Sequence, residues 1–405
     1  MTHCRPRVPA VLGPLAPHAA GFRERTQQLG YTPYSSQFQI WVMARLSQWM
    51  LTAEIQPEEL TDVSIDQFLT DHREHGYKQR IGRRRLAPLL EYLRTAGLVP
   101  PRSEITPTPG EALILAYATF LLHRRNLAPR TIEEHLATVR RFLAAWHPEA
   151  CDPVPFERLQ AADVTTFLLE ETGRLSTGAS QNVVNHLRSF LRFSHQTDRV
   201  ARDFAVAIPP VASWHAKRLP PVIPVDQVEA LIATCNRSIA VGRRDYAILL
   251  LLARLGLRAS EVCRLTLDDM DWRTGQMVIH GKGQREDRMP LPQDVGEAVV
   301  QYLQDGRQQT TLRWLFLAFR APLHGISRAG ISHIVRQACV RSHLTPMGPH
   351  RLRHALASEL LRQGVALPAI GQVLRHRDLD STAVYAKVDR AALRVVTQPW
   401  PEMTP

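Results

Sequence analysis

The sequence predicts a mainly α-helical protein with a small antiparallel β-sheet in its C-terminal domain. Apolar residues recur at three- and four-residue spacing through most of the chain, the period of helices with one buried face. One stretch breaks that period: "GQMVIHGKGQREDRMPLP" (275–292) starts as a strand, breaks at "GKGQRED" and resumes, a hairpin with a basic tip. The length of 405 residues is enough for two or three domains, each with its own core.

Proline and glycine punctuation places the cuts. Residues 1–22 are a Pro-rich start, expected to be irregular. A helical module is expected over 23–100, closed by "LVPPRSEITPTPG" (98–110), and a second over 108–206. The run "AIPPVASWHAKRLPPVIP" (207–224) has the composition of an extended linker, assigned to 207–221. A third domain is expected over 222–397, with a tail at 398–405.

The first two modules look like copies. "YTPYSSQFQIWVMARLSQWM" (31–50) aligns with "LAPRTIEEHLATVRRFLAAW" (127–146), matching Pro33 to Pro129 and Ile40, Met43 and Leu46 to Leu136, Val139 and Phe142. "ELTDVSIDQFL" (59–69) then matches "RLQAADVTTFL" (158–168), and "RRRLAPLLEYLRTAGLV" (83–99) matches "VVNHLRSFLRFSHQTDRV" (183–200). Both carry basic residues on or beside their helices. In the first these are Lys78, Arg80, Arg83, Arg84 and Arg85; in the second, Arg124, Arg125, Arg130, Arg140, Arg141, Arg188 and Arg192. A basic helix face can lie along a phosphate backbone, although exposed arginines are also the ordinary solvated side of a helix. In the third domain "RRDYAILLLLARLGLRASEVCRLTL" is expected to form a buried helix, a turn at Gly256 and a second helix.

Charge narrows the class of partner. The formal net charge is +12 and the pI about 10.0, which favours a polyanion, above all nucleic acid. The five cysteines contain no CxxC pair, which argues against a zinc ribbon or a disulfide framework and fits a reducing cytosol. No apolar run approaches the roughly 18 residues of a membrane span. The longest, "YAILLLLA" at 246–253, is flanked by charge, and "MTHCRPRVPA" carries no apolar signal segment. A cytoplasmic location, nucleoid-associated when bound to DNA, is expected.

The residues able to do chemistry fall in one order. Arg258 opens "RASEVCRL", and Lys282 sits at the hairpin tip. His350, Arg353 and His354 share a helix face in "GPHRLRHALASELL", entered through Gly348 and Pro349. His376 stands in "VLRHRD", and Tyr385 follows it by nine residues in "DLDSTAVYAKVD". This set resembles the catalytic domain of the tyrosine recombinase (phage integrase) family. That family's pattern is an arginine in "GLRxSE", a lysine on a β-hairpin, "HxLRH", a "GH" histidine and "TxxY". Here it is met by Arg258 with Ser260 and Glu261, Lys282, His350 with Arg353 and His354, His376, and Thr382 with Tyr385, across about residues 222–397. Residues 108–206 occupy the place of the family's helical core-binding (SAM-like) domain.

The resemblance implies an enzyme that breaks and rejoins double-stranded DNA. Arg258 and Arg353 would bind the non-bridging oxygens of the scissile phosphate and stabilise the charge built up at five-coordinate phosphorus. A tyrosine phenol, with a pKa of about 10, is a poor nucleophile until a positive pocket and a base help remove its proton. Tyr385 would form a 3′-phosphotyrosyl link and free a 5′-hydroxyl. Lys282 would be the general acid to the leaving oxygen, His350 the acid/base partner of the tyrosine, and His376 a hydrogen-bond donor to the phosphate. The family's chemistry requires no cofactor, neither ATP nor metal. Its behaviour implies a homo- or hetero-tetramer with related recombinases on two DNA sites, and a role in integration, excision or transposition of a mobile element.

Each residue also has a plainer reading. Arg258 can be an ion pair with Glu261, Lys282 a hairpin-tip charge beside Arg285 and Arg288, and His350 with His354 a metal pair, though no third ligand motif accompanies them. Two departures from the family pattern stand out. Arg375 replaces the glycine before His376, where it is expected to shift the local geometry or add a phosphate contact, and residues 23–100 have no fixed counterpart in minimal members. The rival functions are a type IB topoisomerase-like enzyme and a catalytically idle DNA-binding accessory protein of the same fold.

Overall fold

The computed structural model describes residues 10–75, 81–100, 108–147, 154–209, 223–281 and 285–375. It divides into two compact units, one of Met1–Pro101 with Lys217–Pro405 and the other of Arg102–Ala216.

Within the first unit, the N-terminal module comprises α1 (Ala19–Gln28), α2 (Pro33–Thr52), α3 (Asp62–Glu74) and α4 (Arg83–Thr95). Proline sets the start of α2: Pro33 occupies the first turn, where its missing N–H costs nothing, and the Thr32 hydroxyl accepts from the Ser35 N–H. Phe22, Ile40, Met43, Leu46, Leu86 and Leu93 close the core. The expectation of an irregular start over 1–22 is corrected from Ala16 onward, residues 1–9 lying outside the described residues. A 3-10 turn spans Ala16–His18, α1 follows at Ala19, and Leu15 and Phe22 are both fully buried. Pro17 lies in the opening positions of that turn, where proline is tolerated, so its presence does not signal disorder.

The second unit repeats this order with α5 (Pro109–His123), α6 (Pro129–Trp146), α7 (Ala161–Thr172) and α8 (Thr177–Gln196). In each module the second helix opens on a proline and a 3-10 turn precedes the third, Pro57–Glu59 in one and Phe156–Arg158 in the other. The last helix of each ends on a left-handed residue, Gly97 (φ +69°) or Asp198 (φ +54°). Just beyond, the Leu98 N–H donates to the Leu93 carbonyl and the Arg199 N–H to that of Ser194, both at 2.9 Å. Ile208 joins the core of this unit.

The C-terminal segment is built around α10 (Ala240–Arg254), preceded by α9 (Val225–Ala233). Ala247 through Leu252 are each at most 2% exposed, so α10 is covered on every side, as its unbroken apolar run requires. Then come the one-turn α11 (Ala259–Val262) and strands β1 (Met270–Asp271), β2 (Gln276–His280) and β3 (Glu286–Pro290). They form an antiparallel sheet in the order β1-β2-β3, with Val278 opposite Arg288. α12 (Gln293–Asp305), α13 (Arg328–Arg341), α14 (His350–Arg362) and α15 (Leu367–Val373) complete the segment. The N-terminal module touches it directly: the Leu29 carbonyl accepts from the Leu323 N–H at 2.9 Å. The Leu323 side chain fills the space beside Gly30 (φ +75°), where a Cβ would lie 2.3 Å from its Cδ1. No described helix is long and apolar enough to cross a membrane.

Candidate active site

α10 delivers the chain to a turn that only glycine fits well. Gly256 has φ +58°, and a Cβ there would lie 2.8 Å from Leu374 Cδ2 and 3.0 Å from Leu356 Cδ2. Two residues on, Arg258 caps α11. Its N–H donates to Glu261 Oε2 and its Nη1 to Glu261 Oε1, both at 2.8 Å. The two partners differ in exposure: the Arg258 side chain is 40% exposed and that of Glu261 3%. The ion pair that the sequence allowed therefore exists, on a side chain that stays partly exposed.

Arg353, on the first turns of α14, lies behind this loop and is fully buried. Its Nη1 donates to the Gly256 carbonyl at 2.6 Å and its Nη2 to the Leu374 carbonyl. One guanidinium thus ties together the turn before Arg258, helix α14 and the end of α15. His350 lies one turn earlier on α14, stacked edge-on against His354 with ring centroids 4.3 Å apart. Partial desolvation, then the charges of Arg353 and Arg258, lower the His350 pKa from its ordinary value. His354 is pushed down to about 4 by desolvation, reinforced by His350, Arg351 and Arg353. Both imidazoles are then neutral near pH 7, the form that can accept a proton. No group of three or more His, Cys, Asp or Glu able to hold a metal occurs among the described residues.

Two further arginines shape the site. Arg375 has φ +54° and a side chain only 6% exposed, and its Nη2 donates to Glu261 Oε2 at 2.9 Å. Arg264 donates from Nε to the Ser260 carbonyl and from Nη1 to the Gly281 carbonyl, both at 3.1 Å, binding α11 to the end of β2. Arg258, His350 and Arg353 are thus brought together, whereas Lys282, His376, Thr382 and Tyr385 lie outside the described residues.

The model of the phage integrase family matches residues 221–391. Over 96% of its length the chain is 36% identical to integrase/recombinase y4rA of Sinorhizobium fredii, covering 95% of that protein. The chain belongs to the phage integrase family of tyrosine recombinases. It is also 28% identical to tyrosine recombinase XerD of Staphylococcus epidermidis, over 70% of this chain and 96% of that one. In fold it resembles the XerH site-specific recombinase bound to palindromic difH substrate, with a TM-score of 0.55 at 17% identity, over 72% of this chain and 97% of that one. Tyrosine recombinases are DNA strand-transfer enzymes that carry out site-specific recombination, and that is the activity of this chain.

The sequence expectation of a core-binding domain over 108–206 falls on the unit of α5–α8. Its seven arginines expected at DNA are not equivalent. Arg124, Arg125 and Arg192 are exposed. Arg130 pairs with Glu134 at 3.1 Å, Arg140 with Glu111 at 2.8 Å and Arg141 with Glu171 at 2.6 Å. Arg188 donates to the Ile208 carbonyl at 3.0 Å, which makes it a brace for the end of the module. Sequence reasoning pairs Glu261 with Arg258 but misses that Arg375 shares the same carboxylate and that Arg264 ties α11 to the end of β2. The one signal it holds is the arginine standing in the glycine position.

Proposed function

We propose that this recombinase cuts and rejoins double-stranded DNA through a 3′-phosphotyrosyl intermediate on Tyr385, in the integration, excision or transposition of a mobile element. The observation that supports it most is the junction of Arg258, Arg353 and His350, three groups from two distant stretches of chain, the turn after Gly256 and the start of α14. Arg258, half-exposed with a buried carboxylate behind it, would meet a phosphate oxygen. Arg353 would reach the second oxygen by exchanging one of its carbonyl bonds for a charge-assisted bond to phosphate. Tyr385 Oη attacks phosphorus as its proton passes to a base, for which the neutral His350 is suited. The P–O5′ bond breaks, and Lys282 protonates the leaving oxygen. A 5′-hydroxyl then attacks the phosphotyrosyl ester and restores the tyrosine. Two sites would be brought together by a tetramer of this chain or of this chain with related recombinases.

The test begins with selection of the protein's site from a library of random-sequence duplexes. A nick near the scissile phosphate then traps the covalent adduct. The native chain should accumulate adduct with the fragment on the 5′ side of the cut, joined through its 3′-phosphate, and Tyr385→Phe should accumulate none. Equal labelling of the two would rule out the enzymatic reading and leave the idle accessory protein. Relaxation of plasmids lacking the site would favour the topoisomerase-like reading.

A further inference from the structure

Arg375 stands where the family pattern has glycine, and its backbone shows why glycine suits the position: φ is +54°, a region that favours a residue without Cβ. A strained arginine kept there should be holding something. Its side chain does not point to solvent. It runs inward, with Nη1 on the Val373 carbonyl and the Met289 sulfur and Nη2 on Glu261 Oε2. Glu261 is thus a buried carboxylate shared by two arginines, one buried (Arg375) and one half-exposed (Arg258). Burial alone would push the Glu261 pKa up; the Arg258 N–H, the charge of Arg375 and the Arg258 guanidinium outweigh it and hold the carboxylate ionised.

Without Arg375, Arg258 would be the sole guanidinium on that carboxylate. The carboxylate charge would then fall on Arg258 alone, drawing it inward and cancelling the positive potential it offers outward. We infer that Arg375 is a positioning residue for Arg258: by taking half of the Glu261 carboxylate from behind, it leaves Arg258 free to face the scissile phosphate. This gives a role in the reaction to a residue that need not touch DNA, and it rests on the functional reading above. The absence of adduct from the native chain would defeat that reading, whereas the comparison of variants below concerns Arg375 alone.

The experiment measures site binding and the single-turnover rate of adduct formation separately in native protein, Arg375→Gly and Arg375→Lys. Glycine relieves the backbone strain while removing the charge; lysine keeps the charge. We expect R375G to bind the site within twofold of native while cleaving at least tenfold more slowly, and R375K to recover to within about threefold. The inference is overturned if R375G cleaves within threefold of native, if binding and cleavage fall together, or if R375K is no better than R375G. If R375G does not fold, Arg375→Met takes its place under the same criteria. If neither folds, the arginine serves stability and the inference falls.

Discussion

At the residue scale, the two arginines of the site hold their charges in opposite surroundings, and this separates their variants. Arg353 is fully buried and bridges two carbonyls from different parts of the chain, Gly256 and Leu374. A lysine there cannot span both, and hydrogen bonds from a charged donor are each worth about 1.5–3 kcal/mol. Arg353→Lys should therefore lower the unfolding free energy by about 2–4 kcal/mol, whereas Arg258→Lys at a half-exposed pair should cost under about 1 kcal/mol. Both should slow adduct formation by about 100-fold or more, since each removes a planar donor from the developing phosphate charge. Urea unfolding beside single-turnover cleavage checks the contrast; equal destabilisation by the two would contradict it. The order of charged residues in the sequence identifies Arg258, His350 and Arg353 as a set, but nothing in it announces the carbonyls that Arg353 grips. Arg375, by sequence a residue that shifts the geometry or adds a phosphate contact, has its side chain buried on Glu261 instead. A carboxylate 114 residues away leaves no trace in local spacing.

At the element scale, the parts with a strong period are legible and the short ones are not. The apolar run of α10 and the strand–break–strand of β2 and β3 can be read directly, because burial on all sides and period-two pairing both leave patterns. β1 is two residues long and α11 a single turn, too short to show any period. What ties α11 to the sheet is Arg264, whose guanidinium links the Ser260 carbonyl in α11 to the Gly281 carbonyl at the end of β2. Lys282 is the next residue in sequence, so this bond fixes the backbone just before the proposed general acid. Arg264→Ala should change stability by about 1 kcal/mol or less, because the arginine is exposed. Adduct formation should fall by about tenfold on a normal substrate. A DNA whose leaving 5′-oxygen is replaced by sulfur needs no proton from an acid, and there the loss should largely disappear. A loss of the same size on both substrates would show that Arg264 does not act through the hairpin.

At the scale of the whole molecule, the net charge of +12 points to a polyanionic partner, and the structure grades which charges are open to it. Arg192 is exposed, whereas Arg141 is held by Glu171. Removing one arginine that neutralises a phosphate should lower the slope of log affinity against log salt by about 1. Arg192→Ala should show that change in a salt titration of site binding, and Arg141→Ala a smaller one; the reverse order would place the DNA face elsewhere. Acid should act on the unit of α5–α8 by a separate route. His135 is buried between Tyr117 and His186, with the His186 ring 4.1 Å away, and burial, then His186 and Arg125, push its pKa down to about 4. In the unfolded chain the same imidazole titrates near a pKa of about 6.5. Between those values the unfolded state binds a proton that the folded module refuses, so this contribution is complete above about pH 6.5 and is lost as the pH falls toward about 4. Amide-exchange protection in α6 and α8, corrected for intrinsic rates, should fall across that window in the native chain and much less in His135→Gln. If the variant lost protection just as steeply, the acid sensitivity would have to arise from groups other than His135.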